Sequence, residues 1–452
     1  MNIEIIDSII CKTDRPDLLR QILYITTDVY KKNIFDETHG KKRNRFEKEV
    51  SLVSEDGIFL AGFLPRVLEN FPKAKVTGFL EKLKYKKEIN PPGITLFEDQ
   101  IKQIIPALVL QRGTIKAPTG TGKTILMYAL IHAFSPCKVL VLVPLKSILT
   151  QTYDELKKFG LNVSMVGDGK KDLSGDVVVA LPKTLMGIGL ETYCDMFDVI
   201  IQDECHNTSS LSGMYHKILT TTLAIVKLGL TATVKKPNSE KAMACEGLIG
   251  PVITEFTIQE AVRKGTLAMP SLKLIPVPKN SNIRELTRYK DIYDVSIIHN
   301  RIRNSLAAKY IKEECIPKGH TAIIFTQQVE HAKMILEILI SKGIKSKIVY
   351  GEIKSSEREI IKRELEQKII DCVIATSAWR EGVNVKSLSV VINCAGYRDA
   401  TPVVQMAGRC LRIIKGEKEE ATVVDFLDIG KYISEHCVER IQTYKSLGFK
   451  EE

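Results

Sequence analysis

The amino-acid sequence predicts an α/β protein with two doubly wound parallel-sheet domains in tandem, preceded by a small α+β domain. Three observations predict this. From about residue 94, short unbroken Val/Ile/Leu runs alternate with spacers of helical length, as strands buried on both faces of a parallel sheet require. The alternation occurs as two successive sets, which points to two domains rather than one. Residues 1 to about 90 have a different, more basic texture that ends at Pro91-Pro92-Gly93, a strong local breaker. The expected domains are therefore 1–90, 91–268 and 269–452.

The N-terminal domain opens with an apolar run, Ile3 to Ile10. Asp14-Arg15-Pro16-Asp17 then reads as a helix start carrying Leu18, Leu19, Ile22 and Leu23. A basic stretch holds Lys41, Lys42, Arg43 and Arg45. Two strand-like runs, Glu49–Val53 and Gly57–Leu60, flank a turn at Ser54-Glu55-Asp56. A basic, apolar-spaced helix is expected from about Pro65 to Lys87. In the first sheet the expected strands are Thr114–Ala117, Val139–Val143, Val177–Ala180, Val199–Gln202 and Ala224–Leu230. In the second they are Thr321–Thr326, Lys345–Tyr350, Cys372–Thr376, Val390–Cys394 and Ala421–Phe426.

Lys+Arg 65 against Asp+Glu 54 leaves a net charge of +11 over 452 residues. That balance suits a polyanionic partner such as nucleic acid, although a merely solvated basic surface has the same charge. The ten cysteines are scattered without a C-x-x-C pair, which argues against a structural zinc and for a reducing compartment. The N-terminus has acidic residues within its apolar stretch and no cleavage pattern. No apolar run reaches the ~18 residues that span a bilayer. A cytoplasmic protein with no membrane partner is expected.

The strongest local signal is Ala117-Pro118-Thr119-Gly120-Thr121-Gly122-Lys123-Thr124, between a strand and the helix Ile125–Phe134. Glycines let backbone N–H groups approach phosphate oxygens, and the helix N-terminus adds a favourable dipole. Lys123 is expected to reach the β/γ-phosphates of ATP, and the Thr124 hydroxyl to hold Mg²⁺. The alternative, a chance Gly-rich helix start, fits poorly with the Gly-Lys-Thr end in strand–turn–helix context. Asp203-Glu204-Cys205-His206 directly follows an apolar strand. A strand-end acid in a phosphate-binding protein orients Mg²⁺, which suits Asp203. Glu204 suits the general base that activates water, and His206 a relay toward the rest of the chain. Two solvated loop carboxylates are the bland alternative.

The phosphate loop, then D-E-x-H, then Thr231-Ala232-Thr233 at another strand end resembles the superfamily 2 helicases. In the second domain, Gln405-Met406-Ala407-Gly408-Arg409-Cys410-Leu411-Arg412 is similar to that family's Q-x-x-G-R-x-x-R arginine-finger motif. Ala375–Asn384 and Ile323–Thr326 are similar to two earlier motifs. The resemblance spans residues 94 to 430 in the family's order. It implies two RecA-like domains, with ATP held by Thr119, Gly120, Thr121, Gly122, Lys123 and Thr124. Gln405, Arg409 and Arg412 would act catalytically from the second domain, and Glu381 and Gly382 on its nucleotide side. His206, Thr231 and Thr233 would couple hydrolysis to motion. Leu96-Phe97-Glu98-Asp99-Gln100 resembles the family's glutamine motif, with Gln100 on adenine and Phe97 against the ring. Thr95 stands where that motif has Arg. The nucleic-acid track would include Pro144, Lys146, Lys183 and Thr376, each also readable as an ordinary loop residue. Trp379 reads equally as a base-stacking or a buried ring.

The compact chain with its N-terminal basic piece resembles the phage UvsW-type helicases. That resemblance implies an ATP-dependent DNA helicase or translocase on branched, forked or junction DNA, moving 3′ to 5′. It implies Holliday junction branch migration, fork reversal and R-loop dissolution. Lys41, Lys42, Arg43 and Arg45 would meet phosphate, although each alone is equally well a solvated loop residue. An RNA helicase or RNA-stimulated remodeller is the alternative. One chain holds both halves of the ATP site, so a monomer suffices.

Overall fold

The structure, a computed structural model, describes the chain apart from residues 32–43, 209, 236, 281–282, 284, 377–384, 386–387, 397, 399–401, 403–404, 406, 409 and 412–419. The described chain forms two compact units. Met1–Ala117 and Lys123–Glu255 make the first, and Pro118–Gly122 and Phe256–Glu452 the second.

The first unit begins with a small sheet of β1 (Asn2–Ile5), β2 (Ile10–Thr13), β5 (Ile58–Leu60) and β6 (Lys75–Thr77), ordered β5-β2-β1-β6. A separate antiparallel pair joins β3 (Tyr24–Lys31) to β4 (Asn44–Ser51). Two sequence expectations are corrected here. The first helix is only Pro16–Leu19, because the β-favouring run Tyr24-Ile25-Thr26-Thr27 enters β3 instead. The expected Pro65–Lys87 helix stops at Asn70. Phe71 precedes Pro72 and takes φ −129°, ψ 67°, away from the helical region. Lys75–Thr77 then pairs with β1. Strand Asn44–Ser51 pairs with β3, and Ile58–Leu60 with β2. The two runs flanking Ser54-Glu55-Asp56 therefore serve different sheets.

The main sheet of this unit has eight strands: β7 (Arg112–Lys116), β8 (Val139–Leu142), β9 (Val163–Gly167), β10 (Lys170–Lys171), β11 (Val177–Ala180), β12 (Val199–Asp203), β13 (Val226–Thr231) and β14 (Val252–Glu255). Their order is β10-β9-β11-β8-β12-β13-β7-β14. All pairs are parallel except β9–β10. Strand alternation explains the unbroken apolar runs. Val139, Val141, Val177, Val179, Val199 and Ile201 enter one core. Their neighbours Leu140, Leu142, Val178, Ala180 and Ile200 enter a second core on the other face. The N-terminal sheet is fastened to this body. Its core of Ile3, Cys11, Phe59, Phe63 and Val67 takes in Met243 from the helix Glu240–Leu248. A Cβ on Gly247 would lie 2.7 Å from the Phe63 ring, so only glycine admits this approach.

The second unit has a seven-stranded, wholly parallel sheet: β15 (Met269–Pro276), β16 (Thr321–Phe325), β17 (Ser346–Val349), β18 (Cys372–Ala375), β19 (Leu388–Asn393), β20 (Glu420–Leu427) and β21 (Lys450–Glu451). The order is β17-β18-β16-β19-β20-β15-β21. Its strands divide between two cores in the same way. Phe256, Ile258, Ala261 and Leu267 pack into one of these cores. The segment up to residue 268 thus belongs with this body, whereas the sequence pattern places it in the first domain. Among the described residues, no helix is long and apolar enough to cross a membrane.

Candidate nucleotide-hydrolysis site

The phosphate loop leaves β7 and enters the helix Lys123–Phe134, whose residues from Leu126 to Phe134 are almost all buried. Gly120 and Gly122 take φ of 92° and 88°, values that side chains with a Cβ resist. The Thr121 hydroxyl donates to the Pro118 carbonyl at 2.9 Å and closes the turn. Lys123 and Thr124 open the helix, where N–H groups and dipole favour an anion.

Asp203 ends β12, and Glu204 follows it with φ 47°, ψ 50°. A left-handed non-glycine residue costs about 1–3 kcal/mol and persists only where its surroundings enforce it. Here the kink starts the turn Cys205–Asn207, which brings His206 back against β13. Gln202 and Thr208 clamp both ends of this loop through reciprocal side-chain hydrogen bonds of 2.8 and 3.1 Å. In sequence, Gln202 marks only a strand end. Its one signal there is a lone polar residue closing an apolar run.

Lys123 Nζ lies 3.0 Å from Glu204 Oε1. Burial would lower the Lys123 ammonium, but Glu204 and Asp203 outweigh it and hold the pKa raised. Burial likewise pushes Glu204 up, and Lys123 and His206 overcome it to hold the carboxylate at about 2. Asp203 moves the other way, to about 6, raised first by burial and then by the Glu204 charge. Burial and the neighbouring charges thus pull the two adjacent carboxylates in opposite directions.

His206 Nδ1 is 2.9 Å from Thr231 Oγ1 and 3.3 Å from Glu204 Oε2. The Thr231 hydroxyl donates to the Thr233 carbonyl at 2.8 Å and accepts from the Thr233 N–H at 3.1 Å. With its hydrogen so placed, Thr231 receives the Nδ1–H of His206. His206, Thr231 and Thr233 are therefore hydrogen-bonded in sequence at the end of β13, with Glu204 Oε2 in close contact with the same imidazole nitrogen. Behind it lies a cavity of about 160 Å³ lined by Thr114, His206, Thr233, Cys245, Arg66 and Glu246. The last three escaped sequence reasoning, since no spacing relates Arg66 to Glu246.

Phe97 is 72% exposed just before the helix Glu98–Leu110, open to a flat ligand. Gln100 is buried, and its Oε1 accepts the Phe97 N–H at 3.0 Å. Pro144 and Lys146 follow β8, and Lys183 follows the neighbouring β11. All three lie at carboxyl ends of strands, where open sheets bind ligands. Lys146 pairs with Asp168, and Lys183 is exposed. In the second unit, Thr376 follows β18, buried, with its N–H donating to Val349 at 3.1 Å. Gln405 is buried. Lys41, Lys42, Arg43, Trp379, Glu381, Gly382, Arg409 and Arg412 lie outside the described residues, and Arg45 is placed only by its backbone in β4.

Two RecA-like sheets, a phosphate loop and a strand-end Asp-Glu-x-His box wired to a threonine pair define a nucleic-acid-dependent ATPase of the helicase class. Residues 88–236 match the family described as type III restriction enzyme, res subunit, and residues 305–414 match the helicase conserved C-terminal domain. Helicase-type domains are thus matched in both halves of the chain, as expected of a nucleic-acid-dependent ATPase. It is 27% identical over 343 residues to the probable helicase D10 of Escherichia phage T5, covering 74% of this chain and 72% of that protein. It is 24% identical over 382 residues to the ATP-dependent DNA helicase uvsW of Enterobacteria phage T4, covering 75% and 73%. The ATP-dependent RNA helicase SrmB of Haemophilus influenzae is 23% identical, with 73% and 74% covered. Among solved structures, a fragment of a putative HsdR subunit of a type I restriction enzyme from Vibrio vulnificus superposes with TM-score 0.60 at 16% identity, covering 78% of this chain and 66% of that one. S. cerevisiae Dbp5 bound to RNA and ADP BeF3 gives 0.56 at 14% identity, covering 78% and 89%. These two likenesses concern the fold.

Proposed function

We propose that this helicase is a DNA translocase that remodels branched DNA, migrating Holliday junctions, reversing forks and dissolving R-loops with 3′ to 5′ polarity. The observation that carries the ATP-driven part is the connected set Lys123–Glu204–His206–Thr231. The choice of DNA is supported by the likeness to the ATP-dependent DNA helicase of phage T4, and the branched substrate follows from the sequence resemblance to UvsW-type helicases. In this reading Thr124 and Asp203 are the residues that would hold Mg²⁺, which would supply charge neutralisation, and Lys123 would neutralise charge at the β/γ positions of ATP. Glu204, kept ionised, accepts a proton from the attacking water. Arg409 and Arg412 supply cationic charge to the transferring phosphoryl group, with Gln405, Glu381 and Gly382 beside them. The motor acts as a monomer in the cytoplasm, gripping nucleic-acid backbone through Pro144, Lys146, Lys183 and Thr376. Lys41, Lys42, Arg43 and Arg45 contact junction phosphates.

The test is the ATPase rate with single-stranded DNA, duplex DNA, a four-way DNA junction and RNA of equal length. Stimulation by the junction, with its conversion to forked products, supports the proposal. Stimulation by RNA alone replaces it with an RNA helicase, the reading to which the likeness to SrmB belongs. Alanine at Lys41, Lys42 and Arg43 together should weaken junction binding more than single-strand binding.

A further inference from the structure

The second unit carries an aromatic cluster that none of the helicase motifs contains. The Tyr289 ring lies 5.8 Å from Tyr293, 6.0 Å from Tyr432 and 5.3 Å from His436, at interplanar angles of 42°, 85° and 56°. None of the three stacks parallel on it. Tyr293 and His436 are buried, whereas Tyr289 remains 41% exposed. An ordinary core cluster would cover its outermost ring; this one is held by one edge-on and two tilted neighbours and is left partly open to solvent.

The support beneath the ring is costly to build. Tyr432 takes φ 66°, ψ −47°, strain of about 1–3 kcal/mol for a residue with a Cβ. The helix that begins at Tyr289 runs at Asp294–Ile298 into a π-turn, a feature often found at functional sites. The Tyr293 hydroxyl fixes that helix by donating to the Ala395 carbonyl at 2.7 Å. Under the turn that carries Lys431 and Tyr432 lies a buried ionic lattice. Arg303 pairs with Asp428 at 2.8 Å, and Arg440 with Asp425 at 2.9 Å and Asp428 at 3.4 Å. Asp428 heads that turn, so the lattice pins its backbone.

The cluster occupies the carboxyl edge of the sheet. Ala395 follows β19, Tyr432 follows β20, and Tyr289 follows β15 in the chain. Thr376, assigned above to the nucleic-acid track, sits on the same edge after β18. Three strand spacings separate β18 from β20 in the sheet order, about 14 Å at the usual interstrand distance. Basic residues lie in the cluster's neighbourhood, two of them paired with carboxylates. Lys431 Nζ lies 5.1 Å from the Tyr432 ring, and Lys290 adjoins Tyr289 in sequence. Arg288 and Arg398 are paired with Asp291 and Glu439.

We propose that Tyr289, held by Tyr293, Tyr432 and His436, is a stacking platform for a base of single-stranded nucleic acid. It extends the track from Thr376 along the sheet edge. This rests on the nucleic-acid motor reading above. An aromatic face takes any base, so the contact adds grip without sequence preference.

The test uses the full chain and a single-stranded oligonucleotide carrying one 2-aminopurine, in DNA and RNA forms. Quenching of the fluorophore on binding, at one position along the strand, is expected and needs no substitution. Tyr289→Ala should abolish the quenching and weaken binding by about 5- to 150-fold, the usual worth of one stacked base. Tyr289→Phe, which keeps the ring, should retain both, and melting temperatures report whether each variant folds. Binding and quenching unchanged in Tyr289→Ala overturn the platform while leaving the motor standing. The platform is equally overturned if Tyr289→Phe loses as much as Tyr289→Ala, or if Tyr289→Ala loses only association with another protein. A wild-type chain that binds neither oligonucleotide overturns the motor reading and the platform together.

Discussion

His206 Nδ1 and Thr231 Oγ1 lie 2.9 Å apart, and the same imidazole nitrogen is 3.3 Å from Glu204 Oε2. One ring thus stands between Glu204, proposed above as the general base, and the end of β13. Thr231→Val keeps the β-branched shape but removes the hydroxyl that meets His206 and both polar groups of Thr233. ATP binding should persist while strand displacement per ATP hydrolysed falls. Comparing ATPase and unwinding rates on one substrate checks this. An equal loss of both would assign Thr231 to chemistry rather than coupling.

The Lys123–Glu204 pair, 3.0 Å apart and largely buried, brings together the residues proposed for phosphate grip and for proton abstraction. Lys123→Ala should abolish hydrolysis and weaken nucleotide binding. Glu204→Gln should bind ATP with near wild-type affinity but turn over about 10²- to 10⁴-fold more slowly, the usual weight of a positioned base. Isothermal titration beside a phosphate-release assay separates the two. Loss of binding in Glu204→Gln would mean that the carboxylate acts mainly through Lys123.

If Arg409 acts as proposed, Arg409→Ala should lower turnover by about 10³-fold or more, the usual weight of an arginine finger, with ATP affinity largely kept. Normal hydrolysis in this variant would remove Arg409 from the reaction and leave Arg412 as the remaining candidate.

The N-terminal sheet is held by a bidentate pair, Arg66 Nε to Glu246 Oε1 at 2.6 Å and Arg66 Nη2 to Glu246 Oε2 at 2.5 Å. Arg66→Met should destabilise the first unit by about 1–3 kcal/mol, since it strands a partly buried carboxylate. The shift in urea midpoint measures it. No shift would mean that the apolar contact of Phe63 on Gly247 fixes the docking alone.

His331 is fully buried, with Nε2 2.9 Å from Asn304 Oδ1, and burial followed by the Arg303 charge lowers its pKa to about 3. The unfolded chain takes up this proton near pH 6.5 and the folded chain only near 3. Stability from this group is therefore complete above about pH 6.5 and lost as pH falls toward 3, by up to about 1.4 kcal/mol per pH unit. His331→Gln should flatten the acid side of the stability curve. An unchanged slope would place the proton uptake elsewhere.

Much of this was legible in sequence because the signals are local. A strand buried on both faces must be apolar at every position, so Val139–Leu142 and Val199–Ile201 announce themselves. A phosphate loop needs glycine where φ is positive, and Gly120 and Gly122 stand there. The Pro65–Lys87 helix misled for a physical reason. Apolar spacing in that stretch fits a helix, but Pro72 forbids the helical conformation at Phe71, and the backbone hydrogen bonds offered by β1 capture Lys75–Thr77.

By itself, then, the sequence determined the two parallel sheets, the nucleotide loop, the acid box and their order, because each depends on backbone conformation and burial within a few residues. Only the tertiary structure decided which groups touch. It set His206 on Thr231 and Arg66 on Glu246, and it gathered Tyr289, Tyr432 and His436 around one ring. Such contacts join residues far apart in the chain, and their energies depend on burial and distance, which no local spacing encodes.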